Sequence, residues 1–314
     1  MPAFSATAPG KIILFGEHAV VYGRPAIAVP VTQVKARAIV TANPRGQPGQ
    51  VDIHAPDVGL NAGLADLPKD HPLATAVYLA AERLQVRRIP ACSLKVTSTI
   101  PLAAGLGSGA AVTVAILRAF SAFLGNPLPD EQVSELAFAV EKLHHGTPSG
   151  IDNNVVTYAR PVYYVRGEPM QVITITRPFT IVIGDTGIPS PTARAVSDVR
   201  QAWEGNRDHH EALFDSAGAI ADSARQAIES GNVELLGPLM DANHGLLVKM
   251  GVSCPELEHL VKAARTAGAF GAKLSGAGRG GNMIALVTPE IANKVANALQ
   301  NAGAVNVLTT QVGG

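Results

Sequence analysis

The chain has 314 residues, 47% of them hydrophobic and 16% charged, with 25 basic side chains against 25 acidic ones. That length builds one large or two ordinary domains around a sizeable core, and the composition is globular rather than disordered. Zero net charge gives nothing to draw in nucleic acid or an acidic membrane surface, so neither is expected as a partner. Residues 1–8 lack a basic start with an apolar run behind it, so no secretory leader is expected. Apolar runs such as 110–117 are too short to cross a bilayer. Cys92 and Cys254 stand apart without a Cys-x-x-Cys pattern. They predict ordinary buried or half-buried thiols in a reducing cytoplasm.

Residues 5–31 read as strand, turn, strand, with an apolar strand over 11–15 followed by Gly16, Glu17 and His18. Lys11, Glu17 and His18 bring three ionisable side chains to an otherwise apolar segment, which suits either a solvated strand edge or a site. Residues 34–40 predict another strand and 43–50 a loop, while 52–67 carry turn residues with no clear period. Leu73, Val77, Ala80 and Leu84 recur at helical spacing, which predicts a helix over 71–85. Residues 92–99 alternate as a strand and lead into the stretch from Pro101 to Leu117.

In that stretch Gly105, Gly107 and Gly109 surround Ser108, and a run of good helix formers follows. Glycine lets a ligand approach the backbone. The first amides of a helix lack partners within it and sit at its positive dipole end. Together they make an anion site. On this stretch alone a glycine turn packed against a strand fits equally well.

Residues 130–145 predict a helix with Val133, Leu136, Val140 and Leu143 as its buried stripe and Glu141 at the core edge. Asp152 follows in the turn-rich stretch 146–154, where a surface Asx turn is the ordinary reading of such a residue. Two short strands are expected around Gly167, then a strand over 181–183, then helices over 192–203, 209–229, 233–250 and 255–267. The change from strands to helices predicts a domain boundary at Arg177, giving domains 1–176 and 177–314. Asp208-His209-His210-Glu211 suits a solvated helix start better than a metal site, because adjacent helical side chains diverge. Gly276, Gly278 and Gly281 match Gly-x-Gly-x-x-Gly in form. A buried strand follows them where a dinucleotide site needs a helix, so the match is a decoy. It leaves a second glycine loop able to approach a phosphate or the first loop.

Three segments together resemble the GHMP kinases, the superfamily of galacto-, homoserine, mevalonate and phosphomevalonate kinases. They are Ala8-Pro9-Gly10-Lys11 through Gly16-Glu17-His18, Pro101 to Ala111, and Lys273 to Gly281. Within the superfamily the match is to the mevalonate kinases. It rests on Gly16-Glu-His-Ala-Val-Val-Tyr-Gly23, on Glu141 to Asn154, and on Asp185-Thr186-Gly-Ile-Pro189 with Thr192-Ala-Arg194.

The resemblance implies an α+β two-domain fold. Its N-terminal domain carries a mixed sheet like domain 2 of ribosomal protein S5, its C-terminal domain is ferredoxin-like, and the site lies in the cleft between them. It also implies ATP-dependent phosphorylation of the 5-hydroxyl of mevalonate in isoprenoid synthesis. Asp152 is then the proton acceptor with Lys11 beside it, and Ser108 and Glu141 hold Mg²⁺. Ser98, Leu102, Ala103, Ala104, Gly105, Leu106, Gly107, Ser108 and Gly109 surround ATP, and Glu17, His18 and Thr186 face mevalonate. Feedback binding of prenyl diphosphates and a homodimer belong to the same expectation.

Two positions depart from the family pattern: Gly109 replaces a second serine, and Arg279 replaces a glycine in the third motif, adding a cation there. The alternatives are another kinase of the superfamily, acting on phosphomevalonate or homoserine, or a non-catalytic sensor on the same fold. A sensor should have lost a catalytic group, whereas Lys11, Ser108, Glu141 and Asp152 are all present.

Overall fold

The computed structural model of the protein describes residues 3–101, 105–145 and 149–313. In chain order the strands and helices begin with β1 (Ala3–Phe15), β2 (Ala26–Ala42), β3 (Val51–Ala55), β4 (Leu60–Gly63), α1 (Pro72–Arg83), β5 (Cys92–Ser98) and α2 (Ser108–Phe123). There follow α3 (Asp130–His145), α4 (Ile151–Tyr158), β6 (Val162–Tyr164), β7 (Gln171–Val172), β8 (Phe179–Asp185), α5 (Thr192–Gly205), α6 (Arg207–Ser230) and α7 (Leu236–Lys249). The chain ends with α8 (Pro255–Thr266), β9 (Gly271–Ser275), β10 (Asn282–Val287), α9 (Pro289–Asn301) and β11 (Asn306–Val312). Among the described residues no helix is long and apolar enough to cross a membrane.

The chain divides into two compact units, and both are discontinuous. The first comprises Met1–Gly10, Val34–Pro101 and Gly107–Ala159; the second comprises Lys11–Gln33, Leu102–Leu106 and Arg160–Gly314. A single cut at Arg177 differs from this division, because β1 and β2 each contribute residues to both units. No change of composition along the chain marks such a crossing.

In the first unit β3 pairs parallel with β5, while β4 on β3 and the 36–42 half of β2 on β5 are antiparallel, so the sheet is mixed. The helices α1 to α4 pack on one another and α2 lies on β5. Helix α3 buries Val133, Leu136 and Val140 as its period predicts, but Leu143 is 60% exposed, since the last turn runs past the core. Residues 151–158 form α4, where the sequence reads a turn; Gly150 opens this short helix in the left-handed region.

In the second unit the 26–28 end of β2 pairs with β6 and β6 with β7. Pro30 falls between the two paired stretches of β2, where it removes no ladder bond to β5 or β6. The other sheet has the order β11-β8-β10-β9 with every neighbour antiparallel, a ferredoxin-like arrangement backed by α8 and α9.

Strand β9 lies at the edge of that sheet, and α7 covers the edge with side chains. The amide of Ala272 donates to Asp241 Oδ1 at 2.9 Å and that of Leu274 to His244 Nδ1 at 3.3 Å. Arg265 braces this arrangement by donating to both Asp241 and the Ala272 carbonyl. Exposed edge amides invite pairing with other chains, and here two of them are satisfied internally. Asp241→Ala leaves the buried Ala272 amide unpaired, so it should lower unfolding free energy by about 1–3 kcal/mol. A urea titration measures this, and an unchanged midpoint would remove Asp241 from the account of the edge.

Candidate active site

In the second unit the first and third motifs meet. Gly16 has φ 87°, and a Cβ there would collide with the Pro25 carbonyl and Ala26, so the chain needs glycine to turn at this point. The turn presents Glu17 and His18 inward, and Lys11, Glu17 and His18 are all buried rather than solvated. The Glu17 carboxylate forms an ion pair with the ammonium of Lys273 on β9, and both side chains have 0% exposure. Its second oxygen accepts from Asn243 Nδ2 at 3.3 Å. Each Glu17 oxygen thus accepts from one buried donor within the protein. Burial pulls the Lys273 ammonium below its usual range, against the opposing pull of Glu17.

His18 Nε2 lies 3.0 Å from the carbonyl of Ala277 in the third glycine loop. A carbonyl only accepts, so Nε2 carries the proton and Nδ1 is the lone-pair nitrogen. Burial, joined by the Arg279 charge, brings His18 down to about 4 against the opposing effect of the Ala277 carbonyl. The ring is therefore neutral near pH 7.

The amide of Lys11 donates to the Leu106 carbonyl at 2.9 Å, which ties the first motif to the end of the first glycine loop. Thr186 is half-buried, and both its amide and its hydroxyl donate to the Gly281 carbonyl, at 2.9 and 3.0 Å. Gly276 to Gly281 connect β9 to its antiparallel neighbour β10, so this loop is the strand connection that the decoy reading requires.

Arg279 has φ 58°, a left-handed conformation that glycine adopts freely and other residues do not. Its guanidinium pairs with Asp198 on α5 and donates to the Gly251 carbonyl. The expected extra cation for phosphates is thus already neutralised. At the start of α6 Asp208 and His209 are exposed, as a solvated helix start requires, whereas His210 is buried on Asn206 and Glu211 accepts from Trp203 and pairs with Arg24. Among the described residues no cluster of three or more His, Cys, Asp or Glu suits a metal.

In the first unit Gly107 stands before α2 with φ 72°, and its carbonyl receives the amide of Ala111 at 3.0 Å. The amides of 108–110 therefore have no partner earlier in this 16-residue helix. Ser108 is its first residue and half-buried. Gly109 lies within the helix rather than in the left-handed region, and a Cβ added there meets nothing within 4 Å. Glu141 is half-buried on α3.

Asp152 is half-buried in the first turn of α4, and its neighbours hold that turn to α3. Asn153 Nδ2 donates to the Ser134 hydroxyl at 2.8 Å and to its carbonyl at 3.2 Å, and the hydroxyl donates to Asn154 Oδ1 at 3.1 Å. Ser98, expected near the nucleotide, ends β5 with its hydroxyl accepting from the Ile100 amide at 3.1 Å. Gly105 is exposed with φ 74°. Leu102, Ala103 and Ala104 lie outside the described residues, as do residues 146–148.

Residues 72–160 match the family described as GHMP kinases N terminal domain, and residues 224–305 match GHMP kinases C terminal. A mevalonate kinase of Pyrococcus horikoshii is 38% identical, over 97% of this chain and 94% of its own. The crystal structure of L. major mevalonate kinase in complex with R-mevalonate superposes with a TM-score of 0.83 at 33% identity, covering 98% of this chain and 95% of that one. Streptococcus pneumoniae phosphomevalonate kinase, in complex with phosphomevalonate and AMPPNP, shares the fold at a TM-score of 0.83 but only 19% identity, over 99% of this chain and 100% of that one.

Replacing Arg279 by glycine removes about 1–3 kcal/mol of backbone strain and loses a part-exposed ion pair contributing about 0–1 kcal/mol. Arg279→Gly should therefore keep or raise stability and leave ATP affinity unchanged. A marked loss of ATP affinity, measured by calorimetry, would return this guanidinium to the phosphates.

Proposed function

The chain belongs to the GHMP kinases, in their mevalonate kinase branch, and from that premise we propose how its residues divide the work. It transfers a phosphoryl group from ATP to the 5-hydroxyl of mevalonate, giving 5-phosphomevalonate and ADP for isoprenoid synthesis. A primary alcohol is a weak nucleophile, so the step needs a proton acceptor and a means of spreading charge on the moving phosphoryl group.

We assign the proton to Asp152. The observation that carries this is its fixed place: a half-buried carboxylate in the first turn of α4, with Asn153 and Asn154 on either side of the Ser134 hydroxyl. Asp152 takes the hydroxyl proton as the oxygen forms its bond to phosphorus and the bond to the ADP oxygen breaks. The buried ammonium of Lys11 supplies positive charge for the developing alkoxide. ATP phosphates occupy the N-terminal end of α2, where the amides after Gly107 and the helix dipole favour anions. Leu102 to Leu106, with Ser98 at the end of β5, border the nucleotide.

Ser108 and Glu141 present a hydroxyl and a carboxylate, both half-buried, on helices that pack together. Hard oxygens of this kind suit Mg²⁺, which takes few protein ligands when a triphosphate supplies others. They would hold the ion, and its charge would screen the phosphate oxygens. On the mevalonate side we assign His18, whose neutral ring keeps Nδ1 as an acceptor for a substrate hydroxyl. Glu17 and Thr186 act as the frame of that site, since their polar atoms are engaged within the protein.

Asp152→Asn should retain fold and ATP binding while turnover falls by about 10²-fold or more. Steady-state kinetics with mevalonate, and calorimetry with ATP, read the two effects separately. Near-normal turnover would pass the role of base to another group.

Gly109 tests the phosphate site. Its helical backbone and the open space above it admit a side chain. Gly109→Ala should therefore leave ATP affinity unchanged, and Gly109→Ser should tighten ATP by no more than a neutral hydrogen bond, about 0.5–1.5 kcal/mol. Weaker ATP binding in both variants would mean that the phosphates pack against the bare glycine.

A further inference from the structure

His18 carries φ 61° and ψ −49°, a combination far from any ordinary backbone well. The amide of Ala19 donates to the carbonyl of Glu17 at 2.7 Å across it. This is a γ-turn of the rare, strained hand. Such strain persists only where the surroundings over-determine it, and it gathers at functional sites.

The surroundings of this turn can be named. Gly16 precedes it in a conformation that no side chain would fit. The amide of Val20 donates to the Gly16 carbonyl at 3.1 Å and that of Val21 to the His18 carbonyl at 3.0 Å. These bonds are local and satisfy the turn from within. From outside, the imidazole is bonded to Ala277, and the Glu17 carboxylate is held by Lys273 and Asn243. Lys273 also donates to the Leu274 carbonyl at 2.7 Å, which orients the ammonium along β9. Two residues on, Ser275 donates to the Ile13 carbonyl at 2.7 Å. Residues 273 and 275 point to one side of the strand, so β9 grips β1 and its turn at two successive positions.

We propose that Lys273 is a positioning residue for mevalonate: its buried pair with Glu17 clamps the strained turn, and the clamp aims His18. The inference rests on the assignment of His18 to the substrate. Lysine suits this position because a carboxylate sealed from water requires a partner of opposite charge. Its long stem carries that charge from the middle of a strand to the turn. Glu17 then affects substrate binding through Lys273 and not by touching the substrate.

Three variants of the full chain test the clamp: Glu17→Gln, Lys273→Met and the double substitution. Removing one partner strands a charge in the interior, whereas the double variant leaves none, so it should regain wild-type stability in a denaturant titration. Its KM for mevalonate should nonetheless stay raised about tenfold or more, matching each single variant, with the KM for ATP within about twofold of wild type. Effects that fail to multiply are the signature of two residues acting as one.

The His18 ring is read independently, without substrate, by ¹⁵N NMR, its signals assigned by loss in His18→Gln. The wild type should show a protonated Nε2 that resists further protonation until about pH 4, and the variants should titrate nearer 6.5. A double variant with normal KM for mevalonate would reduce the pair to a stability device. Multiplying effects of Glu17→Gln and Lys273→Met would put Glu17 in direct contact with substrate, and an unchanged His18 signal would sever the clamp from the ring. Should Lys273→Met not fold, Glu17→Gln and the double variant still decide between these outcomes. The NMR result needs no turnover, so the clamp can stand even where the assignment of His18 to mevalonate falls.

Discussion

An ammonium and a carboxylate enclosed together, each with no exposed surface, form the constraint on which the second unit is arranged. Burying two charges costs about as much as their attraction returns, and apolar side chains of equal volume would be as stable. Stability therefore does not explain the pair, and geometry does. Lys273 reaches Glu17 from a strand whose backbone is itself pinned on its outer side, through Ala272 and Leu274, by Asp241 and His244 of α7. The strand is held by its edge amides on one side and by its inward side chains on the other. Whatever fixes β9 therefore also fixes the turn after β1, and with it a histidine in a backbone conformation it would not adopt alone.

The sequence reveals the parts of this arrangement unequally. Helices α1 and α3 and strand β5 fall within two residues of their predicted limits, because each carries a clean period of 3.6 or 2. The short strands β3 and β4, each followed by a 3-10 turn, fill residues 51–66, where no element is long enough to show a period. Helix α4 hides behind the Pro148-Ser149-Gly150 sequence, which reads as turn. The sequence reads separate strands ending at Val31 and beginning at Val34, whereas β2 runs unbroken from Ala26 to Ala42. The units elude the sequence because each is assembled from three separate segments, and contacts distant in the chain leave no local mark.

The candidate site is legible as residue types and only partly as roles. Lys11, Glu17 and His18 stand out as charges in an apolar segment, and Ser108 stands out among glycines. Lys273 carries a signal of its own: a lysine between Ala272 and Leu274, in a strand with every position buried, needs a buried partner. Glu17 is the matching oddity 256 residues earlier. Pairing the two requires the fold, since nothing in their spacing links them. The γ-turn at His18 is hidden for the same reason, because it is imposed by contacts and not by the preference of the residue.

The two departures from the family pattern show how differently one change of residue is absorbed. At 109 the helix has already begun, so losing a side chain alters no backbone angle and leaves open space. At 279 the loop keeps a left-handed conformation and the side chain must accommodate it. The Arg279 amide donates to the Val252 carbonyl at 2.7 Å, and the guanidinium is drawn to Asp198 and Gly251. The backbone bond and the ion pair together hold a shape that glycine would take without help. The third loop thus joins two non-glycine residues of positive φ, because Ala277, two positions before Arg279, is the partner of His18. Strain on both sides of this loop places its geometry under the control of side chains outside it. That is why a lysine on the preceding strand can govern a ring on the opposite turn.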